Sequence, residues 1–478
     1  MPTLIFYTRD CMRSANLTIN MLRKILLLIC VAFSLADIQA QDNSPYSRYG
    51  VGDLLSGQNI VNRAMGGFAA AYSDYGIIGS PFNINLINPA ALGNMTNTKN
   101  FSNTIFDVGG EVNIRGLKST SNTDKYKSTN VVMSYLQLAF PISSPKMEKK
   151  GTSWGMSFGL KPVSRISYKI EENNRISNID SANTLYEGSG GVNQVNFSTG
   201  IRKIGKGKYR NEICIGLSSG YTFANKDYST RLSLVNDSIA YYRGNTEVTS
   251  RFGGVFLTSG IQYKMNINQT GALRLGAYAT LKQNLSAKQN TINETYGYDA
   301  TGGTIRIDSV SITNDVPGKV VLPATYGVGF AYNSKNHNWL IGADFEMTNW
   351  KDYSYYGQSD NTQNTFLIRA GAEFYPAKLN AATNRYRDYV KYRAGFFYNQ
   401  EYVKIVTPRV NYAFTMGASF PLTTPRFIQS RGDYVTLNTS MEFGARGNDN
   451  SFGLRENYTR INFGISMNAR WFQKRNYD

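Results

Sequence analysis

Along positions 461–471 the odd residues read Ile, Phe, Ile, Met, Ala and Trp, and the residues between them read Asn, Gly, Ser, Asn and Arg. Successive side chains of a strand point to opposite faces, so this stretch has one apolar and one polar face. It is also long enough to cross a bilayer as a tilted strand, which takes about ten residues. The pattern recurs from Phe101 onward in fourteen segments: 101–116, 129–142, 152–171, 190–203, 209–226, 247–267, 272–288, 320–334, 337–355, 364–376, 389–402, 409–421, 433–447 and 457–472. An even number lets both ends of an up-and-down barrel lie on one side of the membrane. The pattern predicts an all-β fold, a transmembrane antiparallel up-and-down β-barrel of about 14 strands spanning residues 101–478.

The connections differ in length. Residues 266–270 and 333–336 read as tight turns, whereas 172–189, 227–246, 289–319 and 377–388 are long and polar, as outer loops of such barrels are. Residues 229–235 and 304–312 alternate again, so these loops are expected to rise as hairpins above the membrane. Residues 41–100 lack sustained alternation and are rich in Gly, Asn, Ala and Ser with short apolar clusters. They suit a compact irregular segment filling a cavity, an N-terminal hatch in the lumen.

Register assigns the faces. In 272–282, Leu273, Leu275, Ala277, Ala279 and Leu281 fall outward, and Arg274, Gly276, Tyr278, Thr280 and Lys282 inward. In 339–347 the outward set is Trp339, Ile341, Ala343, Phe345 and Met347, leaving Asp344 and Glu346 inside. The next two strands add Arg369, Glu373, Lys391 and Arg393 to the inner face. These six form an expected lumen charge network. Buried charges of both signs ordinarily neutralise one another and brace the structure; a substrate-selecting constriction is the sharper alternative.

Composition agrees with this architecture: Tyr (33) and Phe (25) supply most of the 13% aromatic content, Gly numbers 44, and only 18% of residues are charged. A soluble sandwich or propeller rich in tyrosine is the competing class. Met21, Arg23 and Lys24 precede the apolar run 25–35, with Ala36 and Ala40 before Gln41, so residues 21–40 read as a signal peptide within a pre-sequence of residues 1–40. Translation is expected to start at Met21, and Ile29 before Cys30 argues against a lipobox. The net charge of +18 becomes +16 without Arg9, Arg13, Arg23, Lys24, Asp10 and Asp37. The bases are scattered singly, which argues against a nucleic-acid partner and for a basic lumen or a rim facing anionic headgroups.

Beyond the pre-sequence Cys214 stands alone, so no intramolecular disulfide is expected there. It shares a small-residue face with Gly216, Ser218 and Gly220. His337, the single histidine, lies in the turn-like 336–338, and no serine partner, metal-ligand spacing or nucleotide motif accompanies it. No enzyme activity, cofactor or metal is expected.

Two regions resemble the FadL-like family of outer-membrane transporters for hydrophobic compounds. The first is Asn62, Arg63, Ala64, Met65, Gly66 and Gly67 leading to Ile87, Asn88, Pro89, Ala90, Ala91 and Leu92. The second, about 230 residues on, is Leu322 and Pro323 through Tyr326, Gly327, Val328 and Gly329, then Asn338, Trp339, Asp344, Thr348, Asn349 and Trp350. The resemblance implies a fourteen-stranded barrel in the cell outer membrane, an N-terminal hatch, and passive uptake of long-chain fatty acids or other hydrophobic small molecules. It makes Met65, Phe68, Phe82, Asn88 and Pro89 the candidate ligand-binding residues of the hatch. The opening 44–50 and the basic end 471–478 look like Bacteroidota proteins, where PorV-like barrels of this fold hold secreted cargo at the surface. A scaffold with a protein partner at its extracellular loops is therefore the alternative. The expected partners are outer-membrane lipid and a hydrophobic ligand, for a monomer. An apolar, aromatic-lined pocket between hatch and wall favours transport; its absence favours the scaffold.

Overall fold

Alternating segments become sixteen long strands: β1 Thr104–Ser119, β2 Lys125–Pro141, β3 Thr152–Arg175, β4 Ser181–Ile204, β5 Glu212–Val235, β6 Arg243–Ile267, β7 Gly271–Thr280, β8 Gln283–Tyr298, β9 Thr304–Leu322, β10 Thr325–Ser334, β11 Trp339–Thr348, β12 Thr365–Phe374, β13 Lys391–Gln400, β14 Val410–Pro421, β15 Tyr434–Gly447 and β16 Leu454–Ala469. The computed structural model describes residues 44–74, 83–96, 104–119, 125–175, 181–207, 209–235, 241–267, 271–299, 301, 303–377, 385–404, 409–423, 434–447 and 454–469. Expectations that fall on residues 1–43 and on Phe82, Arg470 and Trp471 lie outside these.

Fourteen of the strands, all but β8 and β9, form one antiparallel wall, and β16 pairs with β1 to close it. Closure leaves no edge within the hydrocarbon region, so the wall's backbone groups are paired there. The faces follow the period-two register. Arg274, Gly276 and Tyr278 point inward and are buried, while Leu275 between them is 44% exposed to the lipid side. Trp339, Ile341, Phe345 and Met347 are exposed outside, with Asp344 buried within.

β8 and β9 are an insertion. The half of β6 beyond residue 257 pairs with β7, the half before residue 254 pairs with β8, and β7 pairs directly with β10. The expected continuous strands 272–288 and 320–334 are therefore each two strands. The facing shows why: odd positions point outward through Leu281, but Leu285 and Ala287 are buried, and the even positions Val320 and Leu322 are buried whereas Tyr326 and Val328 are exposed. The chain reverses its face at residues 281–282 and 323–324, where Pro323 has no N–H to offer a ladder.

The connections after β2, β4, β6, β10, β12 and β14 lie at one end of the barrel, with Thr104 and Ala469. We call this the near end. At the far end β3 to β6 lengthen to 24 or 25 residues, and with the β8–β9 hairpin they build a sheet that rises above the wall. Residues 229–235 and 304–312 are strands of that sheet, as their alternation indicates. Two expectations are corrected. The connection 377–388 belongs to the near end, because Phe374 pairs with both Trp339 and Tyr392 there. The expected strand 337–355 stops at Thr348; Asn349 to Tyr355 fold over the far end instead, with Trp350 and Tyr353 buried.

The interior is occupied. Residues 44–74 and 83–96 run inside the wall from the far end to the near end, with the short helix α1 Ile60–Arg63 capped by Asn59, whose side chain accepts from the Asn62 N–H at 2.8 Å. At the far end Val51 joins Val192, Phe252, Leu285, Val320, Trp350, Tyr353 and Tyr402 in an apolar cluster that draws on strands from both sides of the barrel.

Candidate functional site

The inner segment is held by charge. At the far end Asp53 pairs with Arg446 at 2.7 Å and Arg115 at 3.0 Å, and Arg446 also reaches Glu401 at 2.8 Å. Midway, Arg63 bridges Glu442 at 2.6 Å and Glu111 at 2.7 Å, two carboxylates that Arg460 also approaches at 3.4 and 3.7 Å. Toward the near end Lys391 pairs with Asp74 at 2.8 Å and with Glu373 at 3.6 Å. Burial alone would raise the Asp53 carboxyl, but the guanidinium groups of Arg446 and Arg115 outweigh it and hold the group below the ordinary carboxylate range.

The wall also offers bare backbone. Gly155, Gly200, Gly216 and Gly260 are direct partners on β3 to β6, and Gly342, Gly371 and Gly395 on β11 to β13. A methyl group on Gly260 would collide with Asn88, and one on Gly371 or Gly395 with the backbone of Met65. These rows are flat shelves on which residues 88–93 and 65–66 lie against the strands.

The six-residue charge network divides. Arg369 donates to Glu346 at 3.1 Å, and Arg393 to Glu373 at 2.7 Å beside Lys391. Asp344 sits directly across the ladder from Arg369, yet it accepts the backbone N–H groups of Ala69 and Ala70. These two bonds tie the inner segment to β11. Asn88 and Pro89 open a 3₁₀ turn, Pro89–Asn94, in which the Asn88 side chain accepts from the Ala90 N–H at 3.1 Å. The Asn88 amide donates to the carbonyls of Ala70, Ile261 and Ala277 and so ties the segment to β6 and β7. Met65 and Phe68 are fully buried, packed with Val61, Tyr72, Ala331 and Leu340. Sequence reasoning missed Asp53, Arg63, Glu111, Arg115, Glu442, Arg446 and Arg460. The wall members were accessible, since Glu111, Arg115, Glu442 and Arg460 each adjoin an outward apolar residue in the same alternation.

A cavity of about 300 Å³ lies between the inner segment and the wall. Asp53, Arg63, Arg115, Glu346, Arg369, Glu401, Glu442, Arg446 and Arg460 line it, with Leu54, Leu55, Leu367, Phe397 and Tyr402 among the apolar contributors. A smaller cavity of about 40 Å³ near Asp74 and Lys391 is bordered by Tyr375, Tyr389, Pro421 and Tyr434. Cys214 is buried with its Sγ 3.9 Å from the Asn94 side-chain oxygen. His337 takes a positive φ in its exposed near-end turn.

The fold is similar to that of solved outer-membrane proteins. The P. putida toluene transporter TodX aligns with a TM-score of 0.50 at 15% identity over 88% of this chain and 100% of its own. The Ralstonia pickettii toluene transporter TbuX gives 0.48 at 16% identity over 87% and 99%. A Pseudomonas aeruginosa FadL homologue gives 0.49 at 10% identity over 87% and 99%. At these identities the likeness is one of fold. Among curated proteins none matches the chain. A lipid-facing apolar wall, closed by fourteen strands around an inner segment, makes this an outer-membrane barrel, and the family model described as BamG matches residues 21–478, so the chain belongs to the BamG family.

Proposed function

We propose that the protein is an outer-membrane scaffold, a plugged barrel that presents its raised far-end sheet to a protein partner. The observation that carries this reading is the charged cavity. An apolar solute crossing the lumen needs a predominantly apolar surface to replace the water it leaves, because charged side chains hold their own hydration even when paired. Nine charged side chains line the space between segment and wall instead. In this reading residues 41–100 form a permanent hatch, residues 101–478 a monomeric barrel, and the charges Glu346, Arg369, Glu373, Lys391 and Arg393 brace it. Asn88 and Pro89 fix the hatch, with Met65 and Phe68 as its packing.

The partner-facing element is the hairpin β8–β9. Val310 on it is 72% exposed, and Ile305, Ile307 and Ile312 are exposed beside it. A photo-cross-linking residue placed at 310 in intact cells is expected to give one discrete protein adduct, and the same residue at lipid-facing Leu275 none. Equal labelling at both positions, or no adduct at 310, would count against the scaffold.

A second reading, uptake of long-chain fatty acids or another hydrophobic small molecule, is favoured by the fold shared with the toluene transporter TodX and by the small tyrosine-bordered cavity. It requires the hatch to move, and is separated from the first by solute flux.

A further inference from the structure

The near end carries a charge asymmetry that the scaffold does not use. The connection after β2 contains the short helix α2 Pro145–Lys149, and the connection after β4 spans 205–211. The two are neighbours: the Ile204 N–H donates to the Gly151 carbonyl at 2.8 Å, and Lys203 Nζ to the Lys150 carbonyl at 3.3 Å. Together they expose Lys146, Lys149, Lys150, Lys203, Lys206 and Arg210. The acid among them, Glu148, accepts the Ser143 hydroxyl at 2.6 Å. None of the six bases forms an ion pair with a carboxylate among the described residues. On the raised far-end sheet, by contrast, bases meet acids: Lys169 and Arg231 pair with Glu187, Lys288 with Asp315 and Arg306 with Glu294.

The height of the patch identifies what it meets. Lys203 follows outward-facing Ile201 by two residues on β4, and Ile201 pairs across the ladder with Trp154. Tyr263, across from Ile213, continues an aromatic level at the same end of the wall. Trp and Tyr mark the headgroup layer of a bilayer. The six bases therefore lie at and just beyond the plane of lipid phosphates, continuous with the lipid-facing surface. Clustered Lys and Arg at that depth attract anionic lipid.

We propose that this sector, formed by residues 143–151, 203–207 and 209–210, binds anionic phospholipid headgroups in the leaflet at the near end of the barrel. Zwitterionic lipid brings no net negative charge to these bases.

The test is native mass spectrometry of the full chain in micelles holding equal phosphatidylglycerol and phosphatidylcholine. The wild-type protein is expected to retain phosphatidylglycerol about tenfold over phosphatidylcholine, and to lose that preference as salt screens the patch. The variant K146Q/K149Q/K150Q/K206Q/R210Q should retain the two lipids equally while keeping its heat-modifiable gel mobility. If that variant does not fold, the pairs K146Q/K149Q and K206Q/R210Q should each lower the preference. A matched far-end variant, K169Q/R231Q/K288Q, should keep it. Equal retention by the wild type, a preference that survives the near-end substitutions, or one that the far-end variant loses equally would overturn the proposal. So would displacement of the lipid by inorganic phosphate. Binding of soluble polyglutamate without lipid discrimination would assign the patch to an acidic protein instead.

Discussion

Arg63→Met is the sharpest perturbation of the docked segment. The Arg63 guanidinium is buried between Glu442 at 2.6 Å and Glu111 at 2.7 Å, and Arg460 is the remaining base on both. Removing it leaves two buried carboxylates to share one guanidinium. Breaking a buried pair by deleting one partner costs about 3–5 kcal/mol. At about 1.4 kcal/mol per tenfold, local opening of the segment around α1 should rise by roughly two to three and a half powers of ten. The wall contributes its own ladder and should stay closed. Hydrogen exchange is the assay, read at the Gly66 amide that donates to Thr415 and the Ala69 and Ala70 amides that donate to Asp344. Adding Glu111→Gln should recover most of the protection, because Arg460 and Glu442 then remain as a balanced pair. Unchanged exchange in Arg63→Met would refute the reasoning, as would a double variant worse than the single. Loss of heat-modifiable mobility along with the protection would show that the segment and wall are one cooperative unit.

Leu275→Arg should destabilise the folded barrel by about 2–4 kcal/mol near the bilayer midplane, with Phe345→Arg similar, while Arg274→Leu inside the lumen is milder; equal loss of heat-modifiable barrel would reverse the face assignment. Gly260→Val should displace the Asn88 turn without unfolding the wall, seen as protease cleavage near residue 88 in a barrel of normal gel mobility; continued resistance would deny the shelf its role. Asn88→Ala removes a cap worth about 0.5–2 kcal/mol and the amide that bridges Ala70, Ile261 and Ala277, so exchange should rise around residues 88–92 and little at residue 53. Because the Asp53 carboxyl is held below its unfolded value, its contribution persists as pH falls through the ordinary carboxylate range near about pH 4 and is lost only below it. Release of residues 50–55 at or above that pH would contradict the pairing.

The wall was legible because a barrel in lipid imposes period two on every strand, so that Leu275 and Arg274, or Phe345 and Asp344, declare their faces without tertiary knowledge. The same rule misled where the chain reverses its face, at 281–282 and 323–324, since one residue of slip exchanges inside and outside while the alternation continues. Thr348 to Tyr355 read as more strand because Trp350, Tyr353 and Tyr355 continue its aromatic content, although Trp350 breaks the odd-position alternation and, with Tyr353, is buried over the far end. The charge network was read from strands alone, whereas its partners are in part supplied by a segment distant in sequence: Arg63 meets Glu442 across 379 residues. Asp344 illustrates the limit. Nothing local announces that it will accept two backbone N–H groups of residues 69 and 70 in place of its ladder neighbour Arg369.

The central proposal is that the charged, docked segment in the lumen is a permanent plug that apolar solutes do not pass. Flux of a neutral apolar solute such as toluene into vesicles reconstituted with the full chain, and with a form lacking residues 44–86, tests it directly. The account predicts no protein-dependent, saturable flux through the full chain, and unselective leakage of small polar solutes through the deleted form. Saturable apolar flux through the intact protein that disappears on deletion would contradict it and establish the hatch as a working part of a transporter.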